Sequence, residues 1–325
     1  MDFSSMFGIV PEQDPVNYIG IDLSQETEEQ LEIIKQPPFQ NILVNATAGS
    51  GKTRTMTTRV AYLIDHYGLS PDDIAYVIFA KDSANEMANR IKAMCGEESR
   101  YLGCTIHAFF KRLMEEFYDK RLSVATDYDC RKVLSFGKKK EHGYGYHKSI
   151  IEKHWGWIDG SMPGYKDVLW WFDQFKASGS DNEYQFYESA LIEKYCWPDS
   201  AQHAKSLCNA RKDFERDLRG LTFSDMLYRL ELLLKTPNGE FFKNKFKIII
   251  VDEAQDTNAQ ALRNILNMCD AVCMCGDVDQ TLYKFQGAQP EIMMSQFPQS
   301  RDVIELRLTR NFRSTKSIVQ ASHKL

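Results

Sequence analysis

A chain of 325 residues with 43% hydrophobic content can bury a substantial core and is long enough for two or more domains. The formal net charge of −5 and the pI near 5.9 exclude a generally basic nucleic-acid coat, while leaving room for a local basic groove. Eight cysteines at this length fit a reduced compartment better than a disulfide scaffold, and no run approaches the roughly 20 apolar residues of a membrane span. The N-terminus lacks a charged-then-apolar leader. These totals predict a soluble, cytoplasmic protein without membrane contact.

Residues 1–20 hold Pro11, Pro15 and Gly20 without sustained periodicity and read as an irregular N-terminal arm. A helix is predicted from Ser24, with Leu31 and Ile34 on one side, and Pro37-Pro38 stops it. Asn41-Ile42-Leu43-Val44 is a short apolar run that reads as a buried strand, and residues 54–64 suit a helix. Between them runs Ala46-Thr47-Ala48-Gly49-Ser50-Gly51-Lys52-Thr53. A small-residue turn between strand and helix lets backbone N–H groups surround a polyphosphate, and the helix N-terminus adds its positive end. Lys52 would reach the β- and γ-phosphates of ATP, and the Thr53 hydroxyl would ligate Mg²⁺. Ala46 stands where the pattern usually has Gly, which still leaves space for a phosphate. The alternative is a Gly-rich surface turn.

Residues 75–80 form a second apolar strand, followed by a helix over 83–94, and residues 102–106 form a third, leading into a helix over 109–118. Strands alternating with helices imply parallel pairing, hence an α/β sheet covered on both faces. From about 119 to 219 that rhythm gives way to a helical, polar and aromatic stretch with Trp155, Trp157, Trp170, Trp171 and Phe172. These aromatics could stack on bases or pack a small helical domain. Lys138-Lys139-Lys140 could touch phosphates or sit in a solvated loop.

Residues 246–251 resume the strand pattern and end in Asp252-Glu253. A nucleotide-hydrolysing site needs one carboxylate for Mg²⁺ and another to polarise water. The carboxyl end of a strand in an open α/β sheet is where ligands bind. Solvation of a loop is the plainer reading of the pair by itself. Residues 271–275 form the next strand; its Cys273 and Cys275, with Cys269, read as core because paired CxxC spacing is missing. Gln280 follows at its tip, where an amide could sense the γ-phosphate or simply belong to a turn. Residues 302–306 are another strand.

These segments, taken in order, resemble the UvrD/PcrA/Rep family of superfamily 1 DNA helicases. The likeness rests on Gln30, the loop at 46–53 with Arg54, Phe79-Ala80-Lys81-Asp82-Ser83-Ala84 and Thr105-Ile106-His107-Ala108-Phe109. It continues through Thr222-Phe223-Ser224-Asp225-Met226-Leu227, Val251-Asp252-Glu253-Ala254-Gln255-Asp256-Thr257 and the segment Gly276 to Ala288. It ends at Thr309-Arg310-Asn311-Phe312-Arg313-Ser314-Thr315. The resemblance implies ATP and Mg²⁺ as cofactors. Gln30 would read the adenine edge, Phe312 would stack on the base, and Arg54 would help hold the nucleotide alongside Ala46, Thr47, Ala48, Gly49, Ser50 and Gly51. Lys52 would contact phosphate, Thr53 and Asp252 would hold Mg²⁺, Glu253 would activate water, and Gln280 with Arg313 would contact the γ-phosphate. Phe79, His107, Tyr283 and Phe285 would line a single-stranded DNA track, with Phe285 where many relatives have Trp.

The resemblance further implies a P-loop, RecA-like sheet built from residues 21–109 and 216–307, with an all-helical insertion at 110–215 and the start of a second RecA-like domain at 308–325. Only 12 residues follow Arg313, so the chain is expected to be the N-terminal half of a longer ATP-dependent helicase moving 3′ to 5′, and little active alone. Two alternatives stand beside it: an ATP-gated DNA- or partner-binding module without unwinding activity, and the motor part of a helicase–nuclease. DNA repair or replication proteins would be its partners, besides ATP, ADP and single-stranded DNA.

Overall fold

The computed structural model describes residues 21–79, 81–96, 99–136, 148–155, 163–195, 199–277 and 292–315. Two compact units divide the chain, one of residues 1–109, 242–258 and 265–325, the other of 110–241 and 259–264.

The first unit is built on six parallel strands: β1 (Asn41–Ala46), β2 (Ile74–Ile78), β3 (Leu102–Thr105), β4 (Ile248–Asp252), β5 (Val272–Gly276) and β6 (Val303–Leu308), in the order β3-β2-β4-β5-β1-β6. Every residue of β2, β4 and β5 is buried, because a parallel strand with both faces covered has no side left for polar residues. The fold is thus the parallel α/β sheet that the alternating pattern predicts. The sequence pattern suggests that the loop and the acid pair grip one triphosphate from neighbouring strand tips, and the strand order corrects this. The loop after β1 and the acids after β4 do not come from neighbouring strands, since β5 lies between them. Strand adjacency follows from crossover connections, which hydropathy does not encode.

Helix α1 (Glu28–Ile34) starts four residues later than Ser24. Thr27 is its N-cap, and Thr27 and Gln30 satisfy one another's backbone N–H in a capping box, a stronger start signal than the serine upstream. Helix α2 (Lys52–Tyr67) ends at Gly68 in the left-handed region. On α2, the fully buried Arg59 donates to the carbonyls of Ile33, Ile34, Gln36 and Pro37 at 2.9, 3.3, 2.7 and 3.1 Å. One guanidinium therefore closes the carboxyl end of α1, whose terminal carbonyls have no partner within the helix. Helix α3 (Lys81–Cys95) packs on α2 and β3. The core beneath gathers Ile42, Val44, Val60, Tyr76, Ile250 and Cys273. Helix α4 (Ile106–Tyr118) begins in this unit.

The second unit is helical: α5 (Asp127–Ser135), α6 (Ile150–Trp155), α7 (Tyr165–Ser178), α8 (Glu183–Tyr195), α9 (Ser200–Asp217) and α10 (Phe223–Leu234). Trp155, Trp171, Phe172, Phe175, Tyr187 and Phe214 fill its core. Those aromatics therefore pack the unit, while Trp170 is 41% exposed. Trp157 and Lys138-Lys139-Lys140 lie outside the described residues. The buried Lys176 Nζ meets Asp225 Oδ1 at 2.6 Å, and Asp225 also closes the capping box of α10 with Thr222. The remaining α-helices among the described residues are α11 (Glu240–Lys243), α12 (Ala259–Met268) and α13 (Phe297–Ser300). Among the described residues no helix is long and apolar enough to cross a membrane.

Candidate functional site

The phosphate loop joins β1 to α2, with Gly49 at φ +72° and Gly51 at φ +83°. Both sit in the left-handed region that a side chain resists, and both are closely approached. A Cβ on Gly49 would lie 2.7 Å from Arg313 Cβ, and one on Gly51 would lie 3.0 Å from Gln30 Nε2. Ser50 Oγ is buried without a hydrogen-bond partner. A buried polar atom is normally paired, so an unpaired hydroxyl inside a glycine cradle fits a polar ligand. Thr47 anchors the loop to the end of β6, its N and Oγ1 donating to Leu308 O at 3.0 and 3.2 Å.

Lys52 is buried, and its Nζ lies 3.5 Å from Glu253 Oε2. Glu253 has φ +53°, a strained conformation for glutamate, costing about 1–2 kcal/mol. Its carboxylate is steadied by Gln255 Nε2 at 2.8 Å. Gln255 Oε1 in turn accepts from Asp277 N at 3.1 Å, tying the acid to the tip of β5. Gly276 makes this possible, because a Cβ there would collide with Gln255 Oε1 and come within 2.9 Å of Met293 Sδ. Asp252 is 1% exposed. Its Oδ2 accepts from the buried Tyr76 hydroxyl at 3.1 Å and its Oδ1 from Glu253 N at 3.0 Å. Burial, then the Glu253 charge, pushes the Asp252 carboxyl up to about 6, against the opposing pull of Tyr76, Glu253 N and Lys52.

Helix α1 contributes the third wall. Gln30 is 4% exposed and its Oε1 accepts from Thr27 N at 2.9 Å, which orients the amide and leaves Nε2 beside Gly51. Arg54 is held by Glu26, Nε to Oε1 at 2.9 Å. Glu29 accepts from Thr309 N and Oγ1 at 2.8 and 2.6 Å, which draws its carboxyl below the usual range. Beyond Thr309, Phe312 is 53% exposed and Arg313 is exposed. The fold therefore brings Gln30, the loop at 46–54, Asp252, Glu253, Phe312 and Arg313 to one end of the sheet.

Phe79 and His107 lie just past the carboxyl ends of neighbouring strands β2 and β3, where Ile78 pairs with Thr105. Gln280, Tyr283 and Phe285 fall outside the described residues. Sequence reasoning assigned no role to Tyr76, Gln255, Thr27, Glu29 or Asn311. The capping box pattern marks Thr27 locally, and Gln255 and Asn311 lie inside the segments that carry the resemblance, whereas nothing local marks Tyr76 or Glu29. Cys269, Cys273 and Cys275 are buried, as core thiols are. Burial pushes Cys269 and Cys273 up to about 11, which leaves them inert thiols.

A glycine cradle after β1, a buried lysine on it and a strand-end acid pair define a phosphate-loop protein of the parallel α/β class. The family model described as the UvrD/REP helicase N-terminal domain matches residues 26–300, and the chain belongs to that family. Its relatives include the ATP-dependent DNA helicase PcrA of Staphylococcus epidermidis, 26% identical over 95% of this chain and 40% of the relative. PcrA of Staphylococcus aureus is 25% identical over 93% of this chain and 40% of its own length. The chain thus spans about two-fifths of the length of these curated relatives. The crystal structure of Pif1 helicase from Candida albicans overlaps 92% of this chain and 43% of that one, with 12% identity and a TM-score of 0.34.

Proposed function

We propose that this chain is the nucleotide-binding N-terminal part of an ATP-driven motor that moves 3′ to 5′ on single-stranded DNA. The observation that carries the reading is the approach of Lys52 Nζ to Glu253 Oε2 at 3.5 Å, across β5, beside the buried Asp252. A lysine on the phosphate loop and a strand-end Asp-Glu pair at one point are what triphosphate hydrolysis needs. Gln30 would present its amide to adenine, and Phe312 would stack on the base. Gly49, Gly51 and Ser50 would face the phosphates, and Lys52 with Arg313 would meet the outermost one.

Thr53 and Asp252 would hold Mg²⁺; the ion, when bound, neutralises charge on the phosphate oxygens. Glu253, fixed by Gln255, would take a proton from water, and its strained backbone keeps the carboxylate turned toward Lys52. Phe79 and His107, past the tips of β2 and β3, are the described part of the DNA track. The relatives' names, ATP-dependent DNA helicase, support the choice of DNA as polymer. DNA repair or replication proteins are the class of partner such a track would meet, and the cysteine usage supports a reduced, cytoplasmic location.

The test is nucleotide binding and hydrolysis with and without single-stranded DNA, on this chain and on Lys52→Ala. Lys52→Ala should abolish ATP binding while the far-ultraviolet spectrum and thermal unfolding stay unchanged. Binding that survives in the variant would remove Lys52 from the site and overturn the reading. DNA binding gated by ATP without any strand separation in a longer form would favour a non-motor module.

A further inference from the structure

The segment after β6 touches the phosphate loop at Thr309, whose O accepts from Thr47 Oγ1 at 3.3 Å, and again through the amide side chain of Asn311. Asn311 Nδ2 donates to Ala48 O at 2.8 Å. Its Oδ1 accepts from Arg313 N at 2.9 Å and from Ser314 N at 2.8 Å. Next to it, Phe312 N donates to Gly49 O at 2.8 Å. Asn311 thus shapes the turn that carries Phe312 and Arg313 and, together with Phe312 N, fastens that turn to the loop. The fit is close. A Cβ on Gly49 would stand 2.7 Å from Arg313 Cβ and 3.0 Å from Asn311 Oδ1, so no other residue at 49 admits the turn.

The bond to Ala48 O also bears on the loop's donors. In a trans peptide the carbonyl and the following N–H point to opposite sides. Holding Ala48 O toward Asn311 therefore turns Gly49 N–H away from it, toward the other face of the loop. Arg313 is exposed, so the reach of its guanidinium is set by where the turn holds its Cβ. We propose that Asn311 is a positioning residue of the nucleotide site, which sets Arg313 against the phosphate loop and so makes binding sensitive to a third phosphate. This rests on the nucleotide-site reading above. Arg313 would contact only a triphosphate, whereas Gly49 N–H and Phe312 would serve di- and triphosphates alike.

The experiment compares the affinities of this chain, Asn311→Ala and Lys52→Ala for ADP and for the non-hydrolysable triphosphate AMP-PNP, by calorimetry with magnesium present. Asn311→Ala should lose roughly tenfold or more for AMP-PNP and distinctly less for ADP, so that preference for the third phosphate falls. Equal losses for both ligands, or none, would overturn the inference and leave Asn311 a merely structural residue. Lys52→Ala separates the two claims. If it abolishes binding of both ligands while Asn311→Ala leaves their ratio intact, only the role of Asn311 fails; if it changes nothing, the site itself fails. Should Asn311→Ala unfold too readily, Asn311→Ser, whose hydroxyl can still accept from Ser314 N, carries the same comparison with the same outcomes.

Discussion

Tyr76 and Asp252 sit on neighbouring strands, and the phenol gives a fully buried carboxylate one of its two oxygen partners. That hydrogen bond favours the ionised acid, while burial and the adjacent Glu253 charge oppose it. The folded-state pKa, about 6, lies above the ordinary value of 3.8. The contribution of this carboxyl to the stability of the metal-free protein is therefore complete below the ordinary value and lost as pH rises through about 6. The loss is on the order of 3 kcal/mol for a shift near two units. Tyr76→Phe should push the Asp252 transition higher and cost about 1–3 kcal/mol near pH 8, where the carboxylate is left with one partner fewer. Denaturant unfolding across pH 5–8 checks both statements; an unchanged profile would mean that the phenol does nothing for the acid. Gly276 is the second position where one atom decides the arrangement. Gly276→Ala should displace Gln255, release Glu253 and lower ATP turnover about tenfold or more while ADP affinity is kept. Paired kcat and ADP-binding measurements distinguish this from general unfolding.

Elements are joined in the helical unit by a carboxylate that gathers two cationic side chains and a histidine. Asp213 on α9 accepts from Lys153 and His154 of α6 at 2.5 and 2.9 Å, and from Arg216 at 2.7 Å. Burial opposes its ionisation, but these hydrogen bonds outweigh it and hold the carboxyl well below the usual range. A depressed acid stabilises the fold above its unfolded pKa, and that stability is lost as pH falls through the folded value. Asp213→Asn should accordingly lower stability at neutral pH and flatten the acid limb below pH 4, read from unfolding curves between pH 2 and 7. Elements differ in how far the sequence reveals them. Strands β2, β4 and β5 are legible because every residue faces a covered side, so an unbroken apolar run is enough. The start of α1 is less so, since Ser24 and Thr27 are both caps by type and only Thr27 has Gln30 three residues on. Strand order is not legible at all: nothing in the run at 272–276 says that it lies between β1 and β4. The same gap explains the site. Lys52 with its loop is a local pattern, whereas Tyr76 meets Asp252 across 176 positions and Asn311 meets Ala48 across 263.

At the scale of the whole molecule, the sheet's carboxyl edge brings a lysine and two acids to one point and holds the Cβ of Arg313 against the phosphate loop, with Phe79 and His107 along the same edge. On the function proposed above, these groups would hold a triphosphate and polarise water. A motor needs more: a second body that moves when the nucleotide is hydrolysed, and in many P-loop enzymes a further arginine brought across the cleft. Such an arginine is worth about 10³–10⁵ in rate. The relatives are roughly two and a half times as long as the stretch they share with this chain. Residues 1–325 should therefore bind ADP and ATP through Lys52 yet turn ATP over slowly, with little response to single-stranded DNA. A form extended to the relatives' length should turn it over faster by about the factor an added arginine supplies, and only with DNA present. Steady-state ATPase assays on both forms, with and without a single-stranded oligonucleotide, decide the matter. Rapid DNA-stimulated turnover by residues 1–325 would show that the groups on this one sheet edge complete the catalytic site by themselves.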